Sequence, residues 1–140
     1  MHYLDTSVLA ALYLPEAASA RVQKLVARSP ETVISVLSEV ELHSAVSRRV
    51  RMRELPAADG QKVLAALRVH LEDGVYRLLS IESRDFTLAC DWLATFRTPL
   101  RTLDALHLAI AFSHGLELVT ADKDLAEAAK GMGVKHRLIA

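Results

Sequence analysis

Four acidic residues offer the clearest chemistry in this sequence: Asp5, Glu41, Asp104 and Asp122. Each lies in or beside an apolar segment, and Asp104 directly precedes a nearly all-apolar run that ends at Phe112. A carboxylate that stays ionised near a core needs cations or hydrogen bonds to offset its lost hydration. A bound divalent metal ion would meet that need for all four at once, and Mg²⁺ or Mn²⁺ prefers such oxygen ligands.

Three of these acids also have a purely structural interpretation as helix-capping residues. Asp5, which is followed by two hydroxyl residues, could cap the helix that comes next, and Asp122 could cap another. Asp104 could complement the dipole of its own helix, with Thr102 as the N-cap. For any one acid alone the capping interpretation is favoured, so the metal hypothesis depends on all of them converging.

Helical periodicity by itself does not select Glu41, which could also be an ordinary solvated residue. Glu39 falls nearer than Glu41 to the apolar side of the predicted helix, so it remains a rival for the same role. Asp124 is a further possible acid beside Asp122. The valines and leucine that define that apolar side are Val36, Val40, Leu42, Val46 and Val50.

Composition predicts a folded chain with one core. The 140 residues are 51% hydrophobic, which excludes disorder, and we expect a single domain over residues 1–140. The net charge of zero argues against a protein that coats nucleic acid non-specifically. The single Cys90, expected to be a small buried side chain, excludes an intrachain disulfide and fits a cytoplasmic protein. No segment predicts a membrane helix or signal peptide.

Short β-branched or aromatic runs alternate with longer stretches of helical spacing. The predicted strands are His2–Leu4, Thr32–Ser35, Tyr76–Ser80, Glu117–Thr120 and Lys135–Ile139. The predicted helices are Ser7–Leu14, Glu16–Arg28, Val36–Arg51, Pro56–Glu72, Arg84–Phe96, Leu103–His114 and Lys123–Met132. This alternation predicts an α/β fold with a mostly parallel five-stranded sheet covered by helices on both faces.

The predicted sheet brings two distant acids together. In such sheets the ligand crevice lies outside the carboxyl ends of the strands. Asp5 and Asp122 follow two strand ends, so both are expected at that crevice.

Four segments together resemble the PIN domain, and in particular the VapC-type toxin ribonucleases of bacterial toxin–antitoxin pairs. They are Leu4-Asp5-Thr6-Ser7, Ile34-Ser35 leading to Glu41-Leu42, Leu103-Asp104-Ala105-Leu106-His107-Leu108-Ala109, and Val119-Thr120-Ala121-Asp122. The resemblance covers essentially the whole chain and implies a three-layer sandwich. It favours Glu41 over Glu39, because the Glu of the family precedes a Leu at this distance after the strand.

The resemblance also implies a function. Asp5, Glu41, Asp104 and Asp122 would be the catalytic, metal-binding acids of an endoribonuclease that uses Mg²⁺ or Mn²⁺. Thr6 or Ser7, together with Thr120, would give polar support. The reaction would be hydrolysis of RNA phosphodiester bonds, leaving a 5′-phosphate and a 3′-hydroxyl. The expected partners are an RNA substrate, a cognate antitoxin and a second copy of the chain.

Two other functions fit parts of the sequence. An aspartyl phosphotransferase of the haloacid-dehalogenase type would use Asp5 as nucleophile, but that family has a second Asp where Ser7 stands. A non-catalytic RNA-binding protein of the same fold is the other alternative.

The sequence does not decide the role of a run of basic residues, and it also contains a histidine, His107, close to Asp104. The run Arg48, Arg49, Arg51 and Arg53 is either a set of cations at a helix C-terminus or an RNA-backbone track. His107, one turn from Asp104, is expected to be a hydrogen-bonded core residue.

Overall fold

The computed structural model describes residues 1–139, so Ala140, the last residue of the predicted domain, lies outside the described part. The strands are β1 (His2–Leu4), β2 (Thr32–Ser35), β3 (Arg77–Leu79), β4 (Glu117–Thr120) and β5 (His136–Leu138). The helices are α1 (Thr6–Tyr13), α2 (Ser19–Arg28), α3 (Val36–Arg51), α4 (Ala57–Glu72), α5 (Ser83–Leu93), α6 (Thr102–Ser113) and α7 (Lys123–Gly131).

The five strands form one sheet in the order β3-β2-β1-β4-β5, and each pairing is parallel. The predicted α/β fold is therefore confirmed. Consecutive strands are separated by helices, as parallel pairing requires. The central pairing joins β1 to β4 and sets Leu4 beside Val119, so the chain segments that follow these two residues leave the sheet at the same edge.

Helices cover both faces of the sheet. Leu4, Ile34 and Val119 point to one face, where they pack in a core cluster with side chains from α1 to α4. Tyr3 and Leu118 point to the other face, into a cluster with α5, α6 and α7. Alternate strand residues thus enter opposite cores, which explains why neighbours such as Tyr3 and Leu4, or Leu118 and Val119, are both apolar.

Helix α3 packs through a side that only partly matches the predicted one. Val36 and Val40 were expected in the core, but their exposed fractions are 40% and 60%. The buried side keeps Leu42 and Val46 from the prediction and adds Leu37 and Ser38. Ser38 is buried because its hydroxyl donates a hydrogen bond to the carbonyl of Leu4, a contact that hydrophobic periodicity does not detect.

Two local predictions were wrong. Cys90 is exposed on α5 rather than buried, because that helix turns Ala89 toward the core. Thr102 is the first residue of α6 and not its N-cap; Arg101 occupies the N-cap position without a side-chain capping bond.

None of the helices within residues 1–139 combines the length and the apolar character that crossing a membrane would take.

Candidate active site

Asp5 lies at the carboxyl end of β1 and is almost fully buried. It is the N-cap of α1, and its Oδ1 accepts hydrogen bonds from the Val8 backbone N–H at 3.0 Å and the Ser7 hydroxyl at 2.6 Å. Its Oδ2 accepts a bond from the Thr120 hydroxyl at the end of β4. Both oxygens are therefore fixed in direction by two chain segments that are far apart in sequence.

Burial raises the pKa of Asp5 above its ordinary value, although the hydrogen bonds from Ser7 and Thr120 and the charge of His107 act in the opposite direction. The capping role proposed for Asp5 is real, but it does not account for the contact with β4. A surface cap would not be buried or bonded across the sheet.

Glu41 points from the packed side of α3 toward α1 and α6. Its Oε1 accepts a hydrogen bond from the Thr6 hydroxyl at 2.8 Å and lies 2.6 Å from Nε2 of buried His107. Nδ1 of His107 lies 2.7 Å from the Tyr3 hydroxyl, which is in turn 2.8 Å from the hydroxyl of Ser35. A continuous chain of hydrogen bonds therefore links the end of β2 to the carboxylate of Glu41.

The network around Glu41 favours its ionised form. Burial works against the charge, but the hydrogen bond and charge of His107 and the hydrogen bond from Thr6 outweigh it, so the pKa of Glu41 is lowered. Glu39 is not part of this network. The expectation that His107 is a hydrogen-bonded core residue is confirmed.

Asp104 is half-buried in the first turn of α6. Its pKa is raised by burial and then by the negative charge of Asp122, with smaller contributions of the same sign from Asp5 and Glu41; His107 opposes them. Asp104 is thus close enough to the other three predicted site acids for each of them to act on its carboxylate. Within residues 1–139 no Lys or Arg forms an ion pair with any of them.

Asp122 is the exposed N-cap of α7, where its Oδ1 accepts hydrogen bonds from the backbone N–H groups of Asp124 and Leu125. Its own N–H donates to the Thr120 hydroxyl, the group that bonds Asp5. The capping prediction is confirmed, and the same geometry holds Asp122 next to Asp5.

A small cavity lies beside Asp104. It has a volume of about 20 Å³ and is lined by Asp104, Asp124 and Thr98, among others. The hydroxyl oxygen of Thr98 is buried without a hydrogen-bond partner among the described atoms. This volume suits a single water molecule, which would satisfy that hydroxyl. Asp124 therefore borders the same small cavity as Asp104.

The donor set fits a hydrated divalent cation better than a closed metal cage. Among residues 1–139 no three His, Cys, Asp or Glu side chains form a group that could hold a metal ion as they stand. Asp5 and one oxygen each of Glu41 and Asp122 are already engaged in hydrogen bonds. Mg²⁺ keeps several waters and needs only one or two direct carboxylates, so a site with few free oxygens and a water-sized cavity suits it.

Sequence reasoning predicted the acids and some of the residues that position them. Thr6, Ser7 and Thr120 do contact the acids, in agreement with the resemblance. Tyr3 and Ser35 were missed, although polar groups at the ends of two adjacent buried strands were a usable signal. The run from Arg48 to Arg53 lies on the surface at the far end of α3, where Arg49 pairs with Glu16.

Comparison with known proteins places this geometry in context. Residues 2–131 match the family model described as PIN domain. No curated protein sequence matches the chain.

Several solved structures share the fold. VapC20 of Mycobacterium tuberculosis, described as a Sarcin-Ricin loop cleaving toxin, has 22% identity and a TM-score of 0.73, covering 91% of this chain and 95% of its own. FitAcB from Neisseria gonorrhoeae has 20% identity and a TM-score of 0.71, with 97% and 96% covered. VapBC2 from Rickettsia felis, bound to a DNA fragment from its promoter, has 15% identity and a TM-score of 0.71, with 99% and 98% covered.

Proposed function

Because this chain belongs to the PIN domain family, we propose that it is a divalent-metal-dependent endoribonuclease. We further propose that residues 1–140 form a single PIN domain, which acts in the cytoplasm as the toxin of a toxin–antitoxin pair. The structures of similar fold include a toxin that cleaves the Sarcin-Ricin loop and toxin–antitoxin complexes, and these support the proposal.

One observation carries the proposal: at the carboxyl edge of a parallel sheet, Asp104 lies close enough to Asp5, Glu41 and Asp122 for all three to act on its charge, and none of the four has a Lys or Arg partner in residues 1–139. Such a group is costly for stability, since like charges held together in a half-buried site repel one another. It also repels RNA phosphates. A metal cation bound at this edge would offset both the repulsion among the acids and their repulsion of RNA phosphates.

The chain itself orients and holds the acids. Asp5 is fixed by donors from α1 and β4, and Glu41 is kept ionised by His107 and Thr6. Asp104 and Asp122 complete the set from the first turn of α6 and the start of α7. All four would hold the metal, either directly or through water. When bound, Mg²⁺ or Mn²⁺ would acidify a water molecule and stabilise charge on the phosphate.

The contacts of Asp5 argue against an aspartyl phosphotransferase. A nucleophilic carboxylate needs one oxygen free to reach the phosphorus atom. Here Oδ1 accepts two hydrogen bonds, Oδ2 accepts a third, and the residue is only 3% exposed. The capture of a phosphoaspartate at Asp5 would nevertheless overturn the ribonuclease proposal.

Two partners belong to the proposal. The first is a cognate antitoxin, since complexes of that kind are among the structures of similar fold. The second is another copy of this chain in a homodimer. The apolar segment Val8–Leu14 gives neither partner much surface, because most of it is buried in the core beneath α1.

The direct test is cleavage of single-stranded RNA by purified protein with Mn²⁺ or Mg²⁺, with and without EDTA. We expect EDTA to abolish cleavage. Asp104→Asn should reduce it by more than about 100-fold, which exceeds the usual effect of losing a supporting outer-shell group. Asp104 is the preferred position because its side chain makes no described hydrogen bond that the amide would break.

Asp5→Asn provides a second test. Its amide NH₂ group would face hydrogen-bond donors that now contact the Asp5 carboxylate, so circular dichroism must first show that the variant is folded. Cleavage that persists in EDTA, or in both variants, would contradict the metal mechanism. RNA binding without any cleavage would favour the non-catalytic alternative.

A further inference from the structure

A basic groove lies between α2 and the sheet, on the face covered by α1 to α4. Its volume is about 470 Å³. Leu25, Leu138 and Ile139 form its apolar surface. Every ionisable side chain among its described lining residues is basic, namely His2, Arg21, Lys24, Arg28 and Arg137.

Helix α2 contributes only positive charge to the groove. The helix has three basic residues and no acidic one, and Val22 is its fully buried anchor. Lys24 and Arg28 are exposed and one helical turn apart, so their positions differ by about 6 Å along the helix axis. On the opposite wall Arg137 pairs with Glu117, which also contacts His2, so that carboxylate is already neutralised.

One end of the groove is linked to the candidate active site through Thr120. Ile139 lines it, and the Ile139 backbone N–H donates to the Thr120 carbonyl at 2.8 Å. The hydroxyl of that same Thr120 bonds Asp5. From there the groove leads along α2 to Ser29, whose hydroxyl lies 2.6 Å from Nδ1 of His2. Cations therefore extend away from the cluster of acids.

We infer that this groove binds the phosphate backbone of the RNA substrate and holds the strand on its way to the acidic edge of the sheet. The inference rests on the proposed ribonuclease function. The four acids repel phosphates, so a chain with zero net charge needs a separate cationic surface to retain RNA. The described lining contains no Phe, Tyr or Trp, and the ring nitrogens of His2 already contact Ser29 and Glu117, so we expect contact with the RNA backbone that does not depend on sequence.

Binding of a fluorescein-labelled U12 oligonucleotide, measured by anisotropy in EDTA so that no cleavage occurs, tests the groove directly. The double variant Lys24→Gln/Arg28→Gln should bind about 10-fold or more weakly at low salt. The slope of log affinity against log salt should fall by about 1.4, since each lost contact with a single strand removes about 0.7. Lys62→Gln/Arg68→Gln is the matched control, because it removes the same two charges from exposed positions on α4.

Cleavage kinetics with Mn²⁺ provide a second measurement. The groove variant should show a raised KM and an unchanged kcat, because its residues hold the strand away from the reacting atoms. Lys24→Arg/Arg28→Lys, which keeps both charges, should restore binding. A change in kcat alone would contradict a role in holding RNA.

Other outcomes separate this inference from the proposed function. If the groove variant binds and cleaves like wild type, the groove inference is wrong and the ribonuclease stands. A loss of RNA binding in Arg48→Gln/Arg51→Gln alone would assign the track to α3 instead. Wild type that neither binds nor cleaves RNA would contradict both, and binding of fluorescein-labelled polyglutamate in its place would point to an acidic protein partner.

Discussion

Glu41 and Glu39 are two positions apart on α3, yet only Glu41 contacts other parts of the site. Its carboxylate meets Thr6 and His107, whereas Glu39 is partly exposed and outside that network. The choice between them depended on which side of α3 packs. Val36 and Val40 drew the predicted apolar side away from Glu41, so the family resemblance, and not periodicity, selected the residue that the fold turns inward.

Glu41→Gln should weaken Mn²⁺ binding by about 10- to 100-fold, because it removes a charge while nearly preserving shape. Glu39→Gln is the matched control and should leave the affinity unchanged. Isothermal titration calorimetry of both variants and wild type measures the difference. If Glu39→Gln caused the loss and Glu41→Gln did not, the assignment on α3 would be displaced by two residues.

The raised pKa of Asp104 makes stability depend on pH. A raised pKa in the folded state means that the native protein binds more protons than the unfolded chain. The contribution of this group is therefore favourable at low pH and is lost as the pH rises through the raised pKa. Without metal, Asp104→Asn should match or exceed the stability of wild type near neutral pH, with the difference shrinking in acid.

Urea denaturation of both proteins at two pH values, in EDTA and in Mn²⁺, measures this effect. Saturating Mn²⁺ should reverse the order, since a ligand at 100 times its Kd stabilises the native state by about 2.7 kcal/mol. A metal-free Asp104→Asn protein that is markedly less stable than wild type would show that Asp104 is mainly a structural residue of α6.

At the scale of secondary-structure elements, the sequence predicted each helix, but it predicted less well the residues at which the helices begin and end. Every predicted strand and helix is present, and α3 has the predicted bounds. Helix α2 begins at Ser19 instead of Glu16, because the Ser19 hydroxyl accepts a bond from the Glu16 N–H and forms a turn there. Helix α5 ends at Leu93, and Phe96 beyond it is 91% exposed in a left-handed conformation.

The packing of α3 against α4 depends on Gly60. A Cβ at this position would lie 2.9 Å from Cγ2 of Val50 and 3.2 Å from Cγ1 of Val46. Gly60→Ala should therefore destabilise the protein by about 1–3 kcal/mol, despite the better helix propensity of alanine. Gly131→Ala on α7 is the control; its Cβ would meet nothing within 4 Å, and we expect no loss of stability.

Urea denaturation of wild type and the two glycine variants measures these differences in stability. Equal stability of Gly60→Ala and wild type would mean that the valines of α3 move aside easily, and that the contact between α3 and α4 is looser than the distances indicate.

At the scale of the whole molecule, the exposed surface of α3 offers a site for dimerisation. Val36 and Val40 form an exposed apolar pair on one side of this helix. We predict a homodimer that covers this pair, so Val40→Asp should shift the protein toward monomer. Light scattering over a range of concentrations measures the oligomeric state of wild type and of Val40→Asp. A wild type that stays monomeric at every accessible concentration would contradict the homodimer.

The sequence by itself determined the order of elements and the parallel sheet, and it predicted four acids as the site residues. Local patterns carry that information: apolar strands without alternation, helical spacing between them, and acids placed at segment ends. Asp5 and Asp122 could be brought together in advance, because the carboxyl ends of parallel strands share one edge.

Only the tertiary structure decided how the acids are held and which surfaces remain free. The contacts of His107 with Tyr3 and Glu41 join residues that are 104 and 66 positions apart, and no local pattern encodes them. The packed side of α3 and the groove beside α2 likewise depend on how helices settle on the sheet. Side-chain periodicity fixes which residues share a helix face, whereas long-range packing decides which face is buried.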